Sequence, residues 1–244
     1  MASALQTPVP LRAGAGWSGK IDDCQEAVQA ADRLLGLARV GVRGRIAAAG
    51  SIDAAQHAAH GLAWLATTVE ALRQLAGWGE RLAAAGRLGE IEGLLLQAGF
   101  GEYLAQIAGG IPMSQGEIVR LSGLGVATAD VRRFEDAVAG LIEDGSTDEL
   151  KARLAVLIAQ SAGASATTYG DTGLDETLTE MREQMRRFSE AEVAPHAHAW
   201  HLQNDYIPLD VITKCAELGV FGLTMPEAHG GLGLGKESMF IVSE

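Results

Sequence analysis

A glycine-rich loop near the C-terminus has the spacing of a phosphate-binding motif. Gly230 is followed after four residues by Gly235 and Lys236, which matches all but the last position of the loop whose backbone amides cradle nucleotide phosphates. That last position holds Glu237, although the motif needs a hydroxyl there to bind Mg²⁺, and a carboxylate would repel the phosphates. We therefore interpret the loop as a turn between two helices rather than as a nucleotide site.

Three neighbouring histidines, His196, His198 and His201, form the pattern H-x-H-x-x-H. Metal binding needs ligands that converge on one point, and on a helix His198 and His201 share a face that His196 does not. Pro195 interrupts the helical pattern here, which leaves a metal site open as an alternative. The pattern favours a solvated helix end, with the imidazoles near the negative end of the helix dipole.

The other reactive side chains do not form a known catalytic pattern. Cys215 occupies a core-facing position, which favours a packed thiol over a nucleophile. His57 and His60 lie among alanines, and we interpret them as surface or interhelix contacts. The arginines within 182–187 suit a phosphate contact, and equally a solvated helix face paired with nearby glutamates. The sequence therefore predicts no catalytic, cofactor-binding or metal-binding residue in this chain.

Composition narrows the class of protein. The 244 residues carry a formal net charge of −12, are 48% hydrophobic and only 5% aromatic, and include 31 glycines. Apolar content dominated by Ala and Leu favours helices over sheets. The negative charge disfavours nucleic acid and anionic membranes as partners. Cys24 and Cys215 do not form a disulfide framework, and neither a signal peptide nor a membrane span is predicted, so we expect a cytoplasmic protein.

Helical periodicity predicts an all-α chain whose first two-thirds form a helical bundle. Residues 1–19 contain Pro and Gly without a period, which predicts a flexible arm. Over 20–160 apolar residues recur three or four positions apart, most clearly at 62–75, and predict a helical extension. Two S-x-x-E capping boxes, at Ser114 and Ser146, predict further helix starts.

The last third of the chain reads as a separate helical segment. Residues 161–173 are small, polar and rich in glycine, which predicts a linker. A narrow apolar seam over 174–188 predicts a long helix, and Pro195 is expected to kink or end it. A short helix is predicted over 209–218, followed by a brief extended segment at 221–226, a loop and the start of a last helix.

The stretch 216–234, AELGVFGLTMPEAHGGLGL, combines a helix ending in E-L-G, a G-x-x-x-P-E segment and a G-G-x-G turn. This combination resembles the N-terminal domain of the acyl-CoA dehydrogenase family. The matching positions are Glu217, Leu218, Gly219, Gly222, Pro226, Glu227, Gly230, Gly231 and Gly233. Ala228 and His229 stand where the family commonly has acidic and aromatic residues. The resemblance predicts that 174–244 is this domain, truncated.

The resemblance implies a reaction and a cofactor. In this family a glutamate removes the proton α to the thioester carbonyl of an acyl-CoA, while the β-hydrogen leaves as hydride to FAD. The resemblance also implies an electron-transferring flavoprotein as partner and a homo-oligomeric state. The family's base and its flavin-binding domain come later than this chain reaches. Neither Glu227 nor Glu244 is therefore assigned as the base, and the chain alone is expected to be inactive.

Residues 20–160 precede the N-terminal domain, with which proteins of this family usually begin. A helical extension in this place is similar to that of a branch of the family acting on a short branched acyl-CoA, methylsuccinyl-CoA, and this is the substrate that the resemblance implies. The alternative is a non-catalytic helical module for oligomerisation or interaction, because the extension combines apolar helix faces with no polar constellation.

Overall fold

The computed structural model describes residues 17–161 and 169–244. The chain divides into two units, Met1–Gly173 and Leu174–Glu244, which we call the N-terminal unit and the C-terminal unit. Since the first helix begins at Trp17, nearly all of the arm predicted at 1–19 lies outside the described residues, as does the middle of the linker predicted at 161–173. Every helix in the described parts is too short or too polar to cross a membrane.

Five α-helices build most of the described part of the N-terminal unit. They are α1 (Trp17–Ala49), α2 (Gln56–Ala84), α3 (Glu90–Gly109), α4 (Thr128–Gly145) and α5 (Asp148–Ser161). The first four form a ring of neighbours, in which α1 packs on α2, α2 on α3, α3 on α4 and α4 on α1. Their apolar faces meet in one core, where Leu65, Leu72, Phe100 and Val138 are almost fully buried. The predicted all-α bundle is confirmed.

A short β-hairpin follows α3, where the first capping box predicted a helix start. Strand β1 (Ile111–Ser114) pairs antiparallel with β2 (Glu117–Val119), with Ile111 opposite Val119. The helix prediction at Ser114 was wrong because the S-x-x-E spacing also suits two residues that flank a tight turn. Burial of Ile111 and Val119 in the core favours the hairpin over a helix.

The second capping box is displaced by one residue. The Thr147 hydroxyl accepts the Leu150 backbone N–H at 3.2 Å, while the Ser146 hydroxyl donates to the Ile142 carbonyl at the end of α4. Thr147 is therefore the residue that caps α5, and the prediction of Ser146 as the cap was wrong. Both Ser146 and Thr147 have a hydroxyl that can cap a helix. Ser146 is already used at the end of α4, which leaves Thr147 to cap α5.

The C-terminal unit contains four α-helices in its described residues. They are α6 (Glu176–Phe188), α7 (Ala194–Gln203), α8 (Leu209–Glu217) and α9 (Lys236–Ser243). The Asp175 carboxylate caps α6 by accepting the Leu178 N–H at 2.8 Å. A 3₁₀ turn at Val220–Gly222 replaces the extended segment predicted at 221–226, so that prediction was wrong.

Pro195 lies in the first turn of α7, where its missing N–H costs nothing. A π-helical turn at Ser189–Val193 joins α6 to α7. The interruption expected at Pro195 is thus a π turn just before it, after which the chain continues as a helix.

Candidate functional site

The glycine-rich loop after α8 folds back on the segment before it. Gly219, with φ of +79°, ends α8 in the left-handed conformation. Further along, three backbone hydrogen bonds join the two arms of the loop: Leu232 N–H to Gly222 O at 2.9 Å, Gly233 N–H to Met225 O at 2.8 Å, and Leu234 N–H to Leu223 O at 2.8 Å. These bonds set the path by which the chain enters α9.

Gly231 lies where the two arms come closest. A Cβ atom added there would stand 2.1 Å from the Met225 carbonyl oxygen and 2.4 Å from the Met225 Cβ. No side chain fits at that distance, so the close approach requires glycine. The loop is therefore a packed backbone crossing, and its amides are used within the loop.

A shallow groove of about 290 Å³ lies between the starts of α6 and α9. Its apolar lining comes from Leu178, Met181 and Leu234. The polar lining includes the carboxylates of Asp175 and Glu237, of which Asp175 already serves as the α6 cap. Both carboxylates would repel the pyrophosphate of a dinucleotide. The groove suits an apolar contact, and it does not fit a flavin cofactor.

Few of the large apolar side chains of the C-terminal unit are buried. Only Val211 and Leu223 are buried among its described large hydrophobic residues, whereas Tyr206 is 96% exposed and Leu209 is 81% exposed. The exposed set comprises Leu202, Tyr206, Ile207, Leu209, Ile212, Leu218, Phe221, Met225, Leu232, Met239 and Phe240. An exposed apolar surface of this extent marks a surface that contacts another protein surface or a ligand.

Three of the histidines that the sequence analysis considered contact other side chains. His196 packs on the Trp200 ring, with centroids 5.6 Å apart. His57 Nδ1 lies 3.1 Å from a Glu117 carboxylate oxygen, and His60 Nε2 accepts the Trp64 indole N–H at 3.0 Å. Within the described ranges, no three His, Cys, Asp or Glu side chains gather closely enough to hold a metal ion.

The arginines of α6 form ion pairs along the helix surface. Arg186 contacts Glu183 at 2.7 Å and Glu190 at 3.0 Å, and its hydrogen bond lowers the pKa of Glu183. Arg182 meets both oxygens of Glu244, at 3.0 and 2.6 Å. These contacts match the interpretation as a solvated, paired helix face.

A polar cluster in the N-terminal unit, which no sequence pattern predicted, holds residues 170–173. The buried Glu92 carboxylate accepts the Gly89 N–H at 3.0 Å and the Asp171 N–H at 2.7 Å. The Asp171 carboxylate in turn accepts Arg87 Nη1 at 2.9 Å, and its carbonyl accepts the Trp78 indole N–H at 3.1 Å. The position of Glu92 three residues after Gly89 is typical of a helix cap. Its second contact could not be read from this local pattern, because Asp171 lies 79 residues away in the sequence.

Comparisons with known proteins cover the C-terminal unit in one case and most of the chain in another. Residues 175–244 match the family model described as "Acyl-CoA dehydrogenase, N-terminal domain". The (2S)-methylsuccinyl-CoA dehydrogenase of Cereibacter sphaeroides is 46% identical over 224 residues, which cover 90% of this chain and 40% of that protein. Glutaryl-CoA dehydrogenase of Desulfococcus multivorans is 30% identical over 64 residues, which cover 26% of this chain and 16% of that protein.

The chain thus spans well under half the length of these curated relatives. The family model covers the segment that contains the crossed glycine loop, the groove and the exposed apolar surface. Residues 175–244 thus match the N-terminal domain of the acyl-CoA dehydrogenase family, and most of the chain is similar to a (2S)-methylsuccinyl-CoA dehydrogenase.

Proposed function

We propose that this chain is the N-terminal portion of an FAD-dependent acyl-CoA dehydrogenase that oxidises methylsuccinyl-CoA to its α,β-unsaturated product. One observation carries the proposal: the 46% identity to a (2S)-methylsuccinyl-CoA dehydrogenase extends over 224 residues. An alignment of that length necessarily includes most of the N-terminal unit, which lies outside the family's N-terminal domain model.

The catalytic base and the flavin contacts belong, in this proposal, to the rest of the protein. The groove between α6 and α9 has two carboxylates and no cationic side chain in its lining, which suits neither a pyrophosphate nor a CoA phosphate. The C-terminal unit contributes apolar surface instead, and Phe221 and Phe240, both more than 60% exposed, are its largest exposed apolar side chains after Tyr206. These side chains are proposed to complete the acyl-binding region against other parts of the protein.

The substrate assignment is tested by steady-state kinetics of the full-length protein with an artificial electron acceptor. We expect the kcat/KM for methylsuccinyl-CoA to exceed that for glutaryl-CoA and butyryl-CoA by about tenfold or more, because glutaryl-CoA is an unbranched isomer whose carboxylate lies one carbon further along the chain and butyryl-CoA has no carboxylate. A higher kcat/KM for glutaryl-CoA would move the assignment to the second relative's substrate. Inactivity with all three thioesters would contradict the proposed enzyme class.

The proposal also includes partners and location. As a member of the proposed enzyme class, the full-length protein would transfer its electrons to an electron-transferring flavoprotein, act as a homo-oligomer and reside in the cytoplasm. Reduction of purified electron-transferring flavoprotein in the presence of substrate tests the first of these, and cell fractionation tests the last.

A second candidate function concerns residues 20–160 alone, as a non-catalytic module for assembly. It is favoured by an exposed face on α1 that no described residue covers. Deleting residues 1–160 from the full-length protein separates the two roles. Loss of oligomerisation with unchanged turnover supports assembly, whereas a changed acyl-chain preference supports a contribution to the substrate pocket.

A further inference from the structure

The last four residues of the predicted linker, 170–173, are held against the N-terminal unit, and we call them the strap. Asp171 is its central residue, because its N–H, carbonyl and carboxylate groups are all hydrogen-bonded. The N–H donates to Glu92 at 2.7 Å, and the carbonyl accepts the Trp78 indole N–H at 3.1 Å. The carboxylate accepts Arg87 Nη1 through both oxygens, at 3.0 and 2.9 Å. Three side chains thus hold one residue of the strap.

The three side chains that hold the strap belong to the helical bundle. Trp78 lies in α2, Glu92 lies in the first turn of α3, and Arg87 lies between these two helices. Glu92 is only 6% exposed, and its other carboxylate oxygen accepts the Gly89 N–H at 3.0 Å. Because this second bond caps α3, the Glu92 carboxylate is positioned by the bundle itself and does not need the strap to orient it.

The strap contributes little apolar surface to the N-terminal unit. Its four residues are Gly, Asp, Thr and Gly, and none of the described residues of the buried core belongs to it. Opening the strap therefore costs hydrogen bonds and leaves the apolar core covered. A segment of this kind can detach while the rest of its unit stays folded, which is a local opening rather than global unfolding.

The hydrogen bonds of the strap depend on one another because they converge on Asp171. If Asp171 moves away from Glu92, its contacts with Trp78 and Arg87 break as well, since they join other atoms of the same residue. The neighbouring Gly170 has φ of +80°, and a Cβ atom added there would stand 2.8 Å from the Glu92 Oε1 atom. The closed strap therefore requires glycine at this position. These constraints favour two states, closed with all three contacts formed and open with none.

The strap lies at the boundary between the two units. The N-terminal unit ends at Gly173, and Asp175 caps α6 by accepting the Leu178 N–H at 2.8 Å. While the strap is closed, Leu174 alone lies between the last strap residue and the α6 cap. When the strap opens, its four residues join this connection, and each adds about 3.5 Å to the greatest length that the connection can reach.

We propose that the strap opens from the N-terminal unit in a single step, that Glu92 is the residue that holds it closed, and that its state sets the length of the connection between the two units. Glu92 should contribute most, because a buried acceptor that loses its geometry leaves buried donors unsatisfied. Arg87 should contribute less, because its side chain is 47% exposed and that of Asp171 is 29% exposed, and such ion pairs are weak. The inference does not depend on flavin or substrate.

Hydrogen exchange of the full chain, followed by NMR, tests the proposal, because the exchange rate reports the open fraction when closing is fast. After correction for intrinsic rates, the Asp171 amide and the Trp78 indole N–H should give the same opening equilibrium constant. Glu92→Gln should raise this constant about tenfold or more at both positions. The effect should reach the Trp78 indole although this group is hydrogen-bonded to Asp171 rather than to Glu92. Arg87→Gln should raise both constants about threefold.

Two controls separate opening of the strap from other effects. Glu90→Gln changes a nearby carboxylate that pairs with Arg153 at 2.6 Å on the surface, and it should leave both opening constants unchanged. The amide of Leu72, a buried residue of α2, should keep its wild-type exchange rate in Glu92→Gln, because the bundle stays folded when the strap opens.

Three results would overturn the proposal. They are an Asp171 amide that exchanges at its intrinsic rate in the wild type, a Glu92→Gln variant in which the Asp171 amide and the Trp78 indole respond by different factors, and a Leu72 amide that accelerates as much as the strap does. Circular dichroism checks that each variant remains folded. If Glu92→Gln impairs folding, Arg87→Gln takes its place and must still raise both opening constants by the same factor.

Discussion

Gly231 is under the tightest steric constraint in the C-terminal unit. Because an added Cβ would lie 2.1 Å from the Met225 carbonyl oxygen, Gly231→Ala must push the two arms of the glycine loop apart. We expect it to lower the free energy of unfolding of the C-terminal unit by about 2 kcal/mol, measured by urea denaturation followed by circular dichroism. Gly235→Ala is the matched control, since nothing lies within 4 Å of its added Cβ, and it should cost less than about 1 kcal/mol. Equal losses for both variants would disprove the steric account.

Cys24 is a buried thiol, and burial raises its pKa from 9.0 to about 12. The thiolate is the reactive form. In the folded chain, a thiol reagent should therefore react rapidly only with the half-buried Cys215. Cys215→Ser should then remove the rapid reaction, and denaturation should restore one reactive thiol in that variant. Rapid reaction of both thiols in the folded wild type would contradict the burial of Cys24.

The same pKa shift gives a signed pH dependence. A thiol whose pKa is higher in the folded state holds its proton longer there, so its contribution to stability is complete below pH 9 and is lost as pH rises towards about 12. The difference in the free energy of unfolding between wild type and Cys24→Ala should therefore shrink between these pH values. A difference that stays constant would show that Cys24 ionises as easily in the folded state as in the unfolded state.

Among the elements, the start of α3 and residues 170–173 depend on the same carboxylate. Glu92→Ala would leave the Gly89 and Asp171 N–H groups without an acceptor, which should cost about 2 kcal/mol. Hydrogen exchange at the Asp171 amide should become faster by at least the factor that corresponds to this loss of free energy. Glu90→Ala is the matched control, because Glu90 makes an exposed ion pair with Arg153 at 2.6 Å and such pairs contribute about 1 kcal/mol or less. Unchanged exchange at Asp171 in Glu92→Ala would show that Glu92 does not hold this segment.

Local patterns predicted the helices well and the connections between them poorly. The apolar spacing at 62–75 and 174–188 predicted parts of α2 and α6 because a helix face is a local property. The hairpin after α3 was missed because S-x-x-E fits both a helix cap and a tight turn, and only burial of Ile111 and Val119 distinguishes them. The contact between Glu92 and Asp171 was missed because it joins residues 79 positions apart. No periodic pattern reports such a contact.

For the molecule as a whole, the two units differ in how completely they bury their apolar residues. The described N-terminal unit encloses a continuous core, whereas the C-terminal unit buries only Val211 and Leu223 of its described large apolar side chains. The glycine-rich loop was predicted as a turn between two helices, but the close crossing of its arms at Gly231 was not, because it depends on the Met225 backbone. The substrate proposal rests on sequence similarity to a relative rather than on a physical argument from named side chains.

The most direct test of the account is an anaerobic absorbance titration of the full-length protein with methylsuccinyl-CoA, beside the 244-residue chain purified in parallel. We predict that the full-length protein has an oxidised-flavin band that bleaches as substrate is added, and that the 244-residue chain is colourless. A full-length protein without flavin would contradict the proposed enzyme class. Stoichiometric FAD on the 244-residue chain would contradict the placement of the flavin contacts outside it.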